Sequence, residues 1–322
     1  MNIDRRKFLQ KGLAVGATVT FLASAKLLGE DTAKSATGDK VPAKNPDLGA
    51  GDKKSVLVAV RDGDRVTMLN RAMDALGGMG VFVKKGQTVL IKPNAGWDVT
   101  PECAANTHPD IVGQLVKLCF LAGAKEVKIF DHTCDNWQRA YANSGIEKAA
   151  RDAGATLVNG NDESMYHEVE IPGAVKLKKT RVHELVMKCD VFINAPVLKH
   201  HGGATMTSCM KNLMGCTWDR GFYHQNDLHQ CIADFLLYKK PALNIVDAYH
   251  PMVRNGPRGK GVEDVVEMKT LLASTDIVVA DAAAAKLLGH KPEAIRHVSI
   301  ASAMGLGSMD LENIAIQRIK IA

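Results

Sequence analysis

Short β-branched and aliphatic runs alternate along the chain with longer stretches whose apolar residues recur at helical spacing. Val56–Val60 is the first run, and Asp64–Leu76 follows with Val66, Leu69, Met73 and Leu76 on one helical face. Thr88–Ile91 predicts a strand ending in Lys92-Pro93-Asn94. Thr107-His108-Pro109-Asp110 then opens a helix, with proline in its first turn and a stripe of Ile111, Leu115, Leu118, Cys119 and Ala122. Val127–Phe130, a helix over Trp137–Ala153 and Thr156–Val158 continue the alternation.

Glu168–Ile171 and Ala174–Lys178 flank Pro172-Gly173, which predicts an antiparallel excursion. A helix near Val182–Lys188 leads to the strand Val191–Asn194. Helices near Met206–Met214 and Asp227–Tyr238 precede the strand Leu243–Val246. Met268–Ala273, a helix over Asp276–Leu288 and a strand near Ile314–Ile319 finish the chain. Strands alternating with helices predict an α/β fold, a mostly parallel sheet with helices on both faces and a small antiparallel excursion near 165–180.

The first residues follow a different pattern. Asp4-Arg5-Arg6-Lys7-Phe8-Leu9 precedes the weakly apolar run Gly12 to Ser24, and Ala23-Ser24-Ala25 offers a small-x-small cleavage site. A basic start, a short apolar segment and such an end describe a secretory signal, and the paired arginines indicate the twin-arginine route. Residues 1–25 are therefore expected to be a signal peptide, 26–53 a flexible linker and 54–322 one α/β domain. The expected location is periplasmic or otherwise extracytoplasmic, with the Tat translocase as a partner. Contact with the membrane would come only through the signal segment, if uncleaved.

Composition narrows the function classes. Apolar residues make up 46 % and charged residues 24 %, ordinary values for a folded domain, so disorder and fibrous classes are excluded. Without residues 1–25 the net charge falls from +6 to +3, and no basic run remains, so nucleic acid is not expected as a partner. Seven cysteines form no Cys-x-x-Cys pair, which gives no local signature for a ferredoxin-type cluster or zinc ribbon.

Polar residues gather directly after strands: Lys92 and Asn94, Asp131 and His132, Asn194 with Lys199, His200 and His201, and Asp247. In open parallel sheets ligands bind beyond the carboxyl ends of the strands, so these groups are expected to converge. Lys92, Lys199 and Lys211 would hold an anion, Asn94, Asn194 and Asn212 would orient it, and Gly202-Gly203 would let backbone N–H groups approach it. His201, His224, Asp131 and Asp247 are the candidates for proton transfer. His201, His224 and Asp131 also have the chemistry of metal ligands. Cys209 and Cys216, two turns apart on the helix expected over Met206–Met214, are further metal or cluster candidates, although the methionines between them fit a core face. Neither a Gly-x-Ser-x-Gly elbow nor a Gly-x-Gly-x-x-Gly turn is present.

Read in order, these motifs resemble the DUF362 family. The matching stretches are Val89-Leu-Ile-Lys92-Pro-Asn94, Thr107-His108-Pro109, Asp131 and Asp190-Val-Phe-Ile-Asn194-Ala-Pro196 with Lys199 and His201. They continue with Thr207 to Lys211-Asn212-Leu-Met-Gly215, Tyr223-His224, Ile232-Ala-Asp234, Val246-Asp247 and Gly256-Pro257-Arg-Gly259, spanning roughly residues 54–290. The resemblance implies a single α/β domain with a shared polar site and carries no defined reaction. Many members of the family add a 4Fe–4S segment with Cys-x-x-Cys repeats, from which this chain departs.

The function expected from residues and resemblance together is an exported enzyme acting on a small anionic ligand, assisted by a metal ion, an iron–sulfur cluster or another cofactor and linked to a redox partner protein. Two alternatives stand beside it: a non-catalytic anion-binding protein, and an accessory protein that delivers a metal or cluster.

Overall fold

A computed structural model describes residues 56–322, so the expected signal peptide and linker lie outside the described residues. The strands are β1 (Val56–Arg61), β2 (Thr88–Pro93), β3 (Glu126–Ile129), β4 (Thr156–Leu157), β5 (Tyr166–Glu170), β6 (Lys179–His183), β7 (Val191–Ala195), β8 (Val197–His201), β9 (Thr205–Thr207), β10 (Leu243–Met252), β11 (Thr270–Ser274) and β12 (Ala315–Lys320). The helices are α1 (Arg65–Ala75), α2 (Pro109–Leu121), α3 (Trp137–Asn143), α4 (Ile146–Asp152), α5 (Glu184–Lys188), α6 (Cys209–Asn212), α7 (Arg220–Gln225), α8 (Leu228–Tyr238), α9 (Ile277–Leu287) and α10 (Arg296–Ala303).

Ten strands form the central sheet, in the order β12-β1-β11-β10-β7-β2-β3-β4, with β8 and β9 attached beside β10. The run β10-β7-β2-β3-β4 is parallel, while β11 runs antiparallel to both its neighbours. Alternation along each strand separates two cores. Leu57 and Ala59 pack on one face with α8, α9 and α10, whereas Val58 and Val60 pack on the other with α1 and α2. The sheet is therefore covered on both sides, as the near-continuous apolar runs require. Among the described residues no helix is long and apolar enough to cross a membrane.

Local chemistry sets the helix boundaries. The Asp64 carboxylate accepts from Thr67 N and caps α1, and His108 Nδ1 accepts from Asp110 N ahead of Pro109 in α2. The single helix expected over Trp137–Ala153 is broken at Ser144-Gly145, where Gly145 takes φ +73°, a conformation that favours glycine. The excursion near 165–180 is antiparallel, but its strands pair Tyr166 with His183 and Glu170 with Lys179. Residues 174–178, expected as its second strand, form a loop because Val175, Lys176 and Leu177 N–H groups donate to the buried Asp234 carboxylate.

The helix expected over Met206–Met214 is also shorter. Thr205 at φ +65° closes the β8–β9 hairpin, so Met206 belongs to a strand. The Asp281 carboxylate of α9 then accepts from Cys209 N at 2.6 Å and Met210 N at 2.9 Å, which starts α6 at residue 209. A 3-10 turn over Leu213–Cys216 ends it.

Candidate functional site

Strand ends and the β9–α7 segment enclose a cavity of about 400 Å³, lined among others by Asn94, Trp97, Asp131, His132, Lys199, Thr207, Lys211, Asn212 and Arg220. Its floor is an asparagine network. Asn194 Nδ2 donates to Asn244 Oδ1, Asn212 Nδ2 donates to Asn194 Oδ1, and Asn94 Nδ2 donates to Asn212 Oδ1, at 3.0, 2.9 and 3.0 Å. The network joins β10, β7, α6 and the loop after β2, so it fixes groups that are far apart in sequence.

Lys92 is fully buried and stands 2.7 Å from Asp131 Oδ1, while it also donates to Asn212 Oδ1 at 3.1 Å. Asp131 accepts from Ala95 N through its other oxygen at 2.8 Å. Gly215 covers this pair closely: a Cβ there would lie 1.9 Å from Asp131 Oδ1 and 2.8 Å from Lys92 Cε. Asp131 is the one acidic residue lining the cavity, and its charge is balanced by Lys92.

Three further cations line the cavity. Lys199, 1 % exposed, donates to Asn94 Oδ1 at 3.1 Å and to the Ala105 carbonyl, both neutral acceptors. Burial, with Lys211 and Lys92 nearby, lowers its pKa to about 7. The Lys211 ammonium makes no hydrogen bond or ion pair with any described residue, and burial together with Arg220 and Lys92 lowers its pKa to about 8. Arg220 grips the loop after β3 by donating to His132 O, Thr133 O and Cys134 Sγ, which leaves two of its five N–H donors uncommitted.

The two buried imidazoles of the cavity differ in tautomer. His201 Nδ1 accepts from Gly203 N and Ala204 N, both at 3.1 Å, and burial lowers its pKa to about 3. The ring is therefore neutral with its proton on Nε2, a hydrogen-bond donor and not the base or metal ligand expected. His132 is the reverse. Its Nδ1 donates to Thr217 O at 3.0 Å, its ring stacks on Trp218, and burial and Arg220 lower its pKa. Nε2 of His132 is thus the open acceptor. His224, on α7, is exposed at the rim.

Several expected site residues sit elsewhere. Asp247 does not line the cavity; it accepts from His108 N and Arg65 Nε at 3.1 and 3.4 Å. Asn194 belongs to the floor network without lining the cavity, and it positions Asn212. Gly202 and Gly203 form the exposed β8–β9 turn, and their N–H groups are spent on Gly256 O and His201 Nδ1, so they hold no anion. Cys209 and Cys216 are fully buried in the apolar core, where burial raises both thiol pKa values, and they do not share a helical face. All seven cysteines are free.

A metal ion or cluster does not fit this donor set. Among the described residues no three His, Cys, Asp or Glu side chains come together as a ligand group, Asp131 is engaged by Lys92, and the two core thiols are held protonated.

Two groups escaped the sequence reading, and a third, His132, was expected at the site edge without a named role. His132, although noted after its strand, acquires its role only through the Thr217 carbonyl. Arg220 lies on a short helix with no periodic signal, and Trp97 follows a loop glycine.

Residues 89–286 match the family described as Domain of unknown function (DUF362). The chain is 27 % identical over 252 residues to a thylakoid-associated protein of Synechocystis sp. (strain ATCC 27184 / PCC 6803 / Kazusa), covering 76 % of each chain. Among solved structures it is similar to the lactate racemase apoprotein from Thermoanaerobacterium thermosaccharolyticum, at 11 % identity and a TM-score of 0.43 over 78 % of this chain. A Thermotoga maritima protein gives 11 % and 0.44 over 75 %. The chain spans 57 % and 60 % of those two structures.

Proposed function

The chain belongs to the DUF362 family, and from that premise we propose that it is an enzyme binding a small anionic molecule in the cavity at the strand ends. One observation carries this reading: Lys199, Lys211 and Arg220 line a cavity whose single carboxylate is already paired with Lys92. The surplus of positive charge in a partly desolvated site favours a carboxylate or phosphate. Lys211 and Arg220 hold the anion with donors they do not use elsewhere, while Asn212 is oriented by Asn194. His132 Nε2 accepts a proton, His201 Nε2–H donates a hydrogen bond, and Lys199 is an amine whose pKa is suited to neutral-pH chemistry. The open base on His132 favours an enzyme over a passive binder, which needs charge but no base.

Calorimetric titration with acetate, pyruvate, oxalate and inorganic phosphate tests the reading. At least one should bind and raise Tm, and the Lys211→Met/Arg220→Met double variant should lose about 2 kcal/mol or more of that affinity. No binding by the wild type, or undiminished binding by the variant, overturns it.

The reading includes export through the twin-arginine route, supported by Arg5-Arg6 ahead of Phe8-Leu9 and by the Ala23-Ser24-Ala25 end. Arg5→Lys/Arg6→Lys should leave the full-length precursor in the cytoplasm; unchanged export would remove this part.

A further inference from the structure

We propose that Lys199 is a nucleophile that forms an imine with the carbonyl of a 2-oxo carboxylate bound in this cavity. The proposal rests on the anion-binding reading and names its substrate class.

Geometry at the nitrogen carries the argument. Lys199 Nζ is buried and meets two neutral acceptors, Asn94 Oδ1 at 3.1 Å and the Ala105 carbonyl, with no carboxylate beside it. A neutral amine has two N–H donors and one lone pair. Two acceptors satisfy its donors and leave the lone pair for a reactant, whereas an ammonium would have only the Trp97 ring, 6.0 Å from Nζ, for its third donor and its charge. The contrast with Lys92 is internal to the site: Lys92 has Asp131 and stays a paired cation.

The partners for the step line the same cavity. Thr207 is the cross-strand partner of Lys199 in the β8–β9 hairpin, so both side chains leave the same face. Thr207 is 3 % exposed, lines the cavity, and its hydroxyl has no hydrogen-bond partner. A buried hydroxyl without a partner costs free energy unless a bound molecule satisfies it. It is placed to hydrogen-bond the substrate oxygen, while Lys211 and Arg220 take the carboxylate and His132 Nε2 relays protons.

The Lys199 lone pair attacks the carbonyl carbon, a C–N bond forms, and the C=O π pair moves to oxygen. The proton released by nitrogen passes to that oxygen, giving a carbinolamine. Loss of the second nitrogen proton as the C–O bond breaks releases water, so amine plus carbonyl gives imine plus one water. No oxidant or reductant takes part. A carboxylate beside the carbonyl is required, because it supplies the charge that Lys211 and Arg220 recognise.

Borohydride trapping of the full-length protein tests this. Pyruvate, glyoxylate and 2-oxoglutarate are each added with sodium cyanoborohydride, and the product is mapped by peptide mass spectrometry. Propanoate, which has the carboxylate but no ketone, serves as the binding control by Tm shift. The expected result is a reduced adduct on Lys199 from at least one oxo acid, suppressed by excess propanoate. Lys199→Arg should give none, and Thr207→Val should trap about tenfold more slowly while propanoate still raises Tm. Anion binding without any adduct, or an adduct confined to another lysine, overturns the imine and leaves the anion pocket standing. Neither binding nor adduct overturns both. The wild-type adduct map decides the matter even if Lys199→Arg fails to fold.

Discussion

The Lys92 ammonium and the Asp131 carboxylate stand 2.7 Å apart beneath Gly215, and this pairing removes the one negative charge that could otherwise neutralise the cavity. The same contact makes a prediction about stability. Asp131→Asn leaves Lys92 buried without a counter-ion and should cost about 3–5 kcal/mol in urea unfolding, with most of it restored by adding Lys92→Met. An unaltered midpoint in the single variant would contradict the buried pair.

Gly215→Ala probes the same place from above. An alanine Cβ falls within 1.9 Å of Asp131 Oδ1, so either the pair or the 3-10 turn must move. The expected loss is about 1–3 kcal/mol, seen as a lower Tm, together with weaker anion binding. Full retention of both would show that the turn yields freely.

Anion affinity should depend on pH through Lys211. With its pKa lowered to about 8, the ammonium that attracts the ligand is lost as pH rises through that value. Titration calorimetry from pH 6.5 to 9.5 should show a falling affinity in the wild type and a flatter profile in Lys211→Met.

Lys199 should leave its own trace on stability. Its pKa is about 7 in the folded chain against an ordinary value of 10.5, so between the two the unfolded state binds the extra proton. Folding stability relative to Lys199→Met should therefore rise with pH across that window and level off on either side. Chemical unfolding at pH 6.5, 8 and 9.5 checks the sign.

Thiol chemistry separates the cysteines. Cys134 is exposed at the cavity beside Arg220, while Cys119, Cys209, Cys216 and Cys231 are buried. Ellman's reagent should label Cys134 in the native protein, a phase lost in Cys134→Ser, and reach the four buried thiols only after denaturation.

The sheet was legible because its evidence is local. Alternation such as Leu57-Val58-Ala59-Val60 reports directly which residues face which core. Lys92, Asn94 and Asp131 were legible for the same reason, since a residue one or two places past an apolar run lies at a strand end. The failures are non-local. Asp247 follows a strand like the others, but its carboxylate is taken by Arg65 and by the His108 N–H. The start of α6 is set by Asp281, 72 residues away, and no spacing rule contains that contact. The tautomers of His132 and His201 depend on a carbonyl and on two turn N–H groups that only the folded chain supplies.

Helix α7 contributes Arg220 and His224 to the rim yet stands outside the asparagine network below. The mouth of the cavity and its floor are thus built from different elements. Substitutions along this short segment, other than at Arg220 itself, which holds the loop of His132, are expected to reshape the mouth of the cavity while the asparagine contacts beneath keep their geometry.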